Sequence, residues 1–592
     1  MRFLIFILLL LATYNLHAQG NFLLRIIPAD KDTGFLTKDF AYKRNQRDSM
    51  SAVAEMRSLL NKLYEKGFLE ATYSSIIADS MRLSATLYTG NQWRWASLSN
   101  GNADEVMLDR IGFREKLFDG STFSSEGVAG MMDKLLTYLE NNGYPFASVK
   151  LDSLHIQEQQ LHAKIFVTKN KLITVDSINV KGDAKISPKY LSGYLGLRLP
   201  AVYDDDAIKG ITGKLAELPF LSEERPSAVQ FNNATATVLL YLKKKNASSF
   251  DFLLGVLPNS GSDGKLQVTG DGQLNLINPF GRGESLSLRF NQLPGKATQV
   301  NLKGAYPYLF NLPFGIEAGF DLYKNDTLYL EVKEMIGLQY LFTGVNSFKF
   351  YFRNISNAVL SVDTLSILQT KTLPANIDYN TRLYGVGFVF EKLDYRINPR
   401  RGVALLINAE GGNKTIKENA KITTLTDPSD PAFDFGSLYD SVNEKKTQFR
   451  LMGSVNKYWQ VAGRSSFLAA YHGGAIIADK IYANERFLLG GFRLLRGFDE
   501  HAILATSYHV FTGEYHYFIS RNSFFYLFFD GSYVEDRSVE PLIHDTPYGF
   551  GAGFNFETKA GIFGVSYALG HQQNNPIELR AAKIHFGYLN NF

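Results

Sequence analysis

From Asn246 to Phe592 the sequence carries no sustained helical period; segment after segment alternates apolar and polar residues two by two. That property confines this part of the chain to strands with one apolar and one polar face. Phe250, Phe252, Leu254 and Val256 share one face of the first segment, with Asp251 and Gly255 on the other. In the third, Leu286, Leu288 and Phe290 alternate with Ser285, Ser287 and Arg289. Sixteen such segments begin near residues 249, 264, 284, 297, 313, 327, 345, 381, 402, 446, 464, 503, 523, 546, 560 and 579. Short turns at 278–283, 312–313 and 398–402 alternate with long connections at 356–379, 413–445 and 478–504. In hydrocarbon every backbone N–H and C=O must be paired within the protein, so a sheet placed there has to close. The even strand number, the unequal turns, and 45 Phe with 32 Tyr fit a transmembrane β-barrel better than a large soluble β-protein.

The N-terminus agrees with export. Arg2 precedes an apolar run from Phe3 to Ala12, and Leu16-His17-Ala18 supplies a small-residue cleavage site. Ten apolar residues as a helix rise about 15 Å, half of a hydrocarbon core of about 30 Å. Residues 1–18 are therefore expected to be a secretory leader rather than an anchor. No later stretch is long and apolar enough for a spanning helix, so any membrane crossing falls to strands.

Between leader and barrel lies a repeat. Leu63-Tyr64-Glu65-Lys66-Gly67-Phe68 aligns without gaps on Leu139-Glu140-Asn141-Asn142-Gly143-Tyr144. Each follows a helical pattern, 50–64 and 128–139, and each precedes strand-like alternation, 71–77 and 147–151. The glycine suits a left-handed helix stop. A third unit begins at Ile173, with a strand to Val180, a turn at Gly182-Asp183, and Ser187-Pro188 opening a helix to about Tyr194. A second helix is expected over 204–218 and strands over 229–231 and 237–242. This β-α-α-β-β order resembles the POTRA domain, and the first two units resemble reduced versions of it. The expected division is POTRA-like units at 19–90 and 91–172, a POTRA domain at 173–245, and a barrel at 246–592. Either the exposed sheet edges of such an arm pair with extended chains, or the units are structural spacers.

The most specific segment is Leu489-Gly490-Gly491-Phe492-Arg493-Leu494-Leu495-Arg496-Gly497-Phe498, in the long connection between strands eleven and twelve. It resembles the sixth-loop motif of the BamA/TamA superfamily of outer-membrane assembly proteins. The resemblance implies that the loop folds into the barrel and that its arginine meets acidic residues on the inner wall. Arg496, Gly497 and Phe498 match the motif, and Glu514 and Asp530 stand at the partner positions. A guanidinium in a partly dry lumen needs carboxylate partners, and its planar fork suits them better than an ammonium. Residues 278–284 and 393–402 resemble two turns of the same family, and the terminal Phe592 resembles its outer-membrane assembly signal. Three N-terminal units bring the chain closer to TamA than to the usually five-unit BamA.

The resemblance implies an insertase or translocase for outer-membrane or autotransporter-type proteins. The barrel seam is expected between strands one and sixteen, at Phe250, Phe252, Leu254 and Val256 against Gly587, Tyr588 and Phe592, with Pro258, Gly255 and Gly587 loosening the ladder. Expected partners are outer-membrane lipids, unfolded client proteins, and a periplasmic or inner-membrane-anchored protein. The alternatives are a two-partner-secretion-type polypeptide pore and lipid or glycolipid export. A net charge of +4 gives no electrostatic case for nucleic acid. With no cysteine, thiolate metal sites and Cys nucleophiles are excluded. The sequence contains no Gly-x-Ser-x-Gly, His-Glu-x-x-His or phosphate loop, so neither a cofactor nor an enzymatic activity is expected.

Overall fold

The computed structural model describes residues 22–258, 266–293, 297–343, 345–442, 445–573 and 577–592; the expected leader lies outside them. The chain forms two compact units. One contains residues up to 176 with 200–209 and 231–236; the other contains 177–199, 210–230 and 237–592.

In the first unit, two helices carry the repeat. Ser49–Glu65 is capped by the Asp48 carboxylate on the Ser51 N–H, and Ser125–Glu140 by the Ser124 hydroxyl on Gly127. Both end alike. Gly67 and Gly143 have φ of 86° and 94°, and the next N–H donates five residues back, Phe68 to Leu63 and Tyr144 to Leu139. These are Schellman stops at matching repeat positions. The first helix buries Ala52, Met56, Leu59 and Leu63 on a sheet ordered Asn45–Gln46, Phe22–Pro28, Arg82–Tyr88, Thr72–Ala78. The second buries Val128, Met131, Leu135 and Leu139 on the sheet Arg94–Ser99, Gln160–Thr168, Ser148–Gln157. Thr72–Ala78 and Ser148–Gln157 are edge strands and carry exposed Ile76, Ile77, Leu154 and Ile156.

The second unit contains most of the sheet segments Leu221–Asn232, Thr235–Lys244 and Thr174–Gly182 and the whole helix Pro188–Leu195. The helix expected over 204–218 is two short ones, Asp205–Lys209, which belongs to the first unit, and Ile211–Ala216. They part at Gly210, a poor helix former in mid-segment.

Sixteen antiparallel strands then close into a barrel. They are Ser249–Pro258, Leu266–Ile277, Ser285–Gln292, Thr298–Tyr306, Phe314–Asn325, Tyr329–Thr343, Asn346–Val359, Tyr379–Leu393, Gly402–Ile416, Lys446–Ala462, Ser465–Ala478, Ser507–Phe518, Phe524–Asp536, Tyr548–Thr558, Gly561–His571 and Lys583–Asn591. Every expected start falls within four residues of an observed one. The two largest offsets have identifiable causes: Ile503–Ala505 is a strand but pairs inside its own loop, with Phe487–Leu489, and Leu579–Ala581 is a 3₁₀ turn. Residues 356–359 and 413–416, read as loop, prolong strands seven and nine. Two of their polar members, Asn357 and Lys414, are buried.

Phe250, Phe252, Leu286, Leu288, Phe290, Ile336, Phe350 and Phe529 are among the many apolar side chains exposed on the outside. Asp271, Glu331, Glu410, Lys414, Arg450 and Asp530 are among the charged side chains buried inside. That inversion of a soluble β-protein is what a lipid-facing wall requires. The wall is uneven. At about 3.3 Å per residue, the 8-residue third strand reaches about 26 Å and the 17-residue tenth about 56 Å along the strand. Strands one and sixteen, of 10 and 9 residues, lie on the short side.

Candidate functional site: the sixth loop in the barrel lumen

The loop following strand eleven starts with a 3₁₀ turn, Ala483–Glu485, whose residues are pinned from several directions. The Asn484 side chain donates to Asn357 and to the Ile377 carbonyl, and Glu485 binds Lys414 Nζ at 2.7 Å and Gln448. Nearby, Tyr482 joins Ile367, Ile377, Ile422, Phe435 and Tyr439 in one apolar cluster built from all three long loops. The loop then makes the hairpin Phe487–Leu489 with Ile503–Ala505. Leu489, Leu495, Ile503 and Ala505 pack on Val510 of strand twelve and Val534 of strand thirteen. Apolar burial therefore holds the loop against the inner wall independently of the charges at its tip.

At the tip the structure brings together Arg496, Glu514 and Asp530. Asp530 is 0% exposed, and its carboxylate accepts four hydrogen bonds: from Arg496 Nε and Nη2, both 2.7 Å, from the Arg496 backbone N–H at 3.1 Å, and from Thr512 Oγ1 at 2.8 Å. Glu514 meets Arg496 Nη1 at 2.5 Å and His516 Nε2 at 2.7 Å. The Phe528 ring lies 3.7 Å from the guanidinium carbon. A lysine has one charged atom and cannot serve two carboxylates in this fork geometry. Phe498 belongs to the adjoining apolar cluster.

Two glycines permit the approach. Gly497 has φ +94°, a conformation costly for residues with a side chain, and a methyl group there would stand 2.5 Å from the Leu569 carbonyl oxygen. On strand fourteen, a methyl at Gly549 would stand 1.7 Å from the Arg496 carbonyl oxygen. Gly549→Ala is therefore expected to push the tip off the wall at a cost of about 1–3 kcal/mol, the usual range for overpacking. Gly463→Ala, where nothing lies within 4 Å, should be neutral. The temperature at which the barrel loses its resistance to SDS compares the two, and equal values would show that the tip does not rest on strand fourteen.

The same loop reaches both strands of the seam. Arg493 Nη2 lies 3.0 Å from Asp251 of strand one, and its Nε lies 3.7 Å from Asp271 of strand two. Asp499 lies 2.6 Å from Lys583 of strand sixteen, and the Phe492 ring is 5.3 Å from His585 on that strand. The sequence reading did not assign Arg493, Asp499, Lys583 or His585. The available signal was Asp251, whose place in the alternation put a carboxylate on the inner face, and the second arginine three residues before Arg496.

The seam itself is closed. Eight residue pairs run from Ser249–Asn591 to Val256–Ile584 and include Phe250–Asn590, Phe252–Tyr588, Leu253–Gly587 and Leu254–Phe586. Phe250, Phe252 and Leu254 are exposed on the outer side. Phe592 lies just past the ladder and donates its N–H to Ser248. Pro258 takes no part in the seam; its partner is Leu266 on strand two. Strands eight and nine, by comparison, pair from Tyr379–Ile416 to Leu393–Gly402.

Beneath the loop lie two adjoining cavities of about 400 and 160 Å³. Arg496, Glu514 and His472 line the first; Asp251, Leu253 and Tyr588 line the second. Both are bounded by Ile397 and Asn398 of the turn after strand eight. That turn crosses to the one after strand twelve. Asn398 donates to Asn522 at 3.0 Å, Arg400 to the Ser520 carbonyl at 3.2 Å, and the Arg400 and Arg521 guanidiniums stack on Phe518 and Tyr395.

A closed sixteen-strand barrel with an apolar outer wall, a loop folded into its lumen and POTRA-like domains ahead of it defines an outer-membrane assembly or transport barrel. Residues 278–590, more than half of the chain, match the Omp85 superfamily domain, and the chain belongs to the Omp85 superfamily. It resides in the outer membrane with its N-terminal domains in the periplasm, in a family of non-enzymatic transporters and insertases. No relative among the curated proteins matches it. Among solved structures it is similar to CdiB from Escherichia coli (12% identity, 91% of this chain and 97% of that chain, TM-score 0.54). It is also similar to CdiB from Acinetobacter baumannii (12%, 85% and 90%, TM-score 0.51). BamA from Haemophilus ducreyi lacking POTRA domains 1–3 aligns at 14% identity over 84% of this chain and 99% of that chain, TM-score 0.47.

Proposed function

We propose that this chain inserts or translocates client outer-membrane proteins through the seam between strands one and sixteen, with the sixth loop as the latch of that seam. The carrying observation is that one loop bonds to the fixed wall through Arg496 and to both seam strands through Arg493 and Asp499. Withdrawal of the tip removes ties on both sides of the seam together. The freed edges then template an incoming strand by main-chain hydrogen bonding, and the short wall there thins the adjacent bilayer. Loop six, the loop cluster at one mouth and the turn at the other occupy the central route, which favours a lateral path over the pore and lipid-export alternatives. The edge strands Thr72–Ala78 and Ser148–Gln157 offer extended clients a sequence-tolerant first contact. The three N-terminal units support a TamA-like organisation.

The latch is tested without touching Arg496. Its ion pairs are partly solvated and contribute about 0.7 kcal/mol each. Arg493→Gln with Asp499→Asn should therefore raise the open fraction of the seam about tenfold. The readout is photo-cross-linking of an unfolded eight-stranded outer-membrane protein to a probe at Tyr588. Cross-links that appear in the lumen and never at Tyr588 would replace this reading with a central pore.

A further inference from the structure

Two periplasmic turns carry features that neither the latch nor the seam uses. Phe310, in the turn after strand four, is 90% exposed, and Phe280, in the turn after strand two, is 75% exposed. Each is held outward by its own backbone. Tyr308, Phe310 and Asn311 all have positive φ, 54°, 55° and 61°, a region that residues with side chains rarely adopt. Around Phe280 the buried Glu284 carboxylate accepts the N–H groups of Phe280 and Arg282, while the Asn278 side chain accepts that of Gly283. An exposed phenylalanine on a strained or internally capped turn is the opposite of a side chain left loose.

The surroundings indicate what covers them. Phe310 is followed by exposed Leu312, Phe314 and Ile316, and the last two belong to the outward face of strand five. Phe280 leads into exposed Leu286 of strand three. Both aromatics thus continue the lipid-facing band at its periplasmic rim, where aromatic side chains favour the headgroup region. Arg282 and Lys185 are exposed beside Phe280, and the Lys185 carbonyl accepts from Asn278. Cations on apolar stems at this level suit lipid phosphates. The turns are also tied to the third N-terminal domain. Tyr308 is buried against Tyr190 and Tyr194, with ring centroids at 5.5 and 6.0 Å, and Ser187 N–H donates to the Gly281 carbonyl at 2.7 Å.

We propose that turns 278–284 and 307–313 form a phospholipid-headgroup site in the periplasmic leaflet. Phe280 and Phe310 insert at the glycerol level, and Arg282 and Lys185 hold phosphates. The site fastens the third domain to the bilayer through Tyr308, beside the short wall of the barrel.

The chain has no cysteine, so Phe310→Cys, Phe280→Cys, Met81→Cys and Phe350→Cys each create a unique thiol for an NBD label. Each labelled full-length protein is placed in phosphatidylethanolamine–phosphatidylglycerol vesicles. Labels at 280 and 310 should be quenched by lipids carrying a doxyl group near the headgroup about twofold more than by lipids carrying it deep in the chain. They should also be shielded from iodide relative to exposed Met81 of the first domain, whereas the label at outward-facing Phe350 should prefer the deeper quencher. Arg282→Gln should raise iodide access at position 280 by about twofold. Labels at 280 and 310 that respond to iodide like the label at 81, and ignore doxyl lipids, would overturn the proposal. That result would assign the two aromatics to water or to a protein partner. A label at 310 that tracks the one at 350 would also overturn it, since it places the turn in the hydrocarbon.

Discussion

Arg496→Ala should be the most damaging single substitution in the barrel. Truncation removes the cationic partner of a carboxylate that has no solvent access, and leaves Asp530 only the Thr512 hydroxyl and the backbone N–H of residue 496. Breaking one side of a buried ion pair costs about 3–5 kcal/mol, or about two to four orders of magnitude in the docked fraction of loop six. The expected readouts are protease cleavage within 479–506, loss of SDS resistance at lower temperature, and client insertion near background. Arg496→Lys should recover only a minor part, because one ammonium replaces a fork that serves both Asp530 and Glu514. The informative control is Arg496→Ala combined with Asp530→Asn. With the stranded charge gone, the double variant should be less unstable than the sum of the two singles, by at least about 1 kcal/mol of coupling. Additive losses would mean that the two groups do not depend on each other.

How much of this was readable in advance differs from element to element. The barrel was legible because a lipid-facing strand must alternate, so Phe250, Phe252 and Leu254 announced their face whatever their neighbours. The repeat was legible because Gly67 and Gly143 answer to a local backbone requirement. Arg496 with Glu514 and Asp530 was legible only through a motif, since nothing in residues 514 or 530 alone distinguishes them from other acids on an inner wall. The latch contacts were hidden for a different reason. Arg493 reaches Asp251 across 242 positions of sequence, and that meeting depends on how deep the loop sits, which is set by the packing of Leu489, Leu495, Val510 and Val534. The inward course of turn 394–401 was hidden likewise. Its contacts to Asn522, Ser520 and Phe518 join two turns four strands apart, which face each other across the mouth only after closure.

A covalent lock across the seam separates the lateral path from every central one. Leu253 and Gly587 are register partners on strands one and sixteen, and a methyl at 587 would stand 3.6 Å from Leu253 Cδ1. Opposed residues of an antiparallel pair have Cα atoms about 4.5–5.5 Å apart, inside the range that a disulfide spans. With no native cysteine to compete, Leu253→Cys with Gly587→Cys should oxidise to a single species. The oxidised barrel should remain folded and insert an unfolded eight-stranded client at least about tenfold more slowly, since edge pairing requires the two strands to part. Reduction should restore the rate, and each single variant should behave as the parent. The lock also orders the two proposed elements. If the latch acts on the seam, Arg493→Gln with Asp499→Asn should lose its effect once the disulfide forms and regain it on reduction. A latch effect that survives oxidation would place the loop's control on the lumen instead, and an oxidised barrel as active as the reduced one would remove the seam from the mechanism.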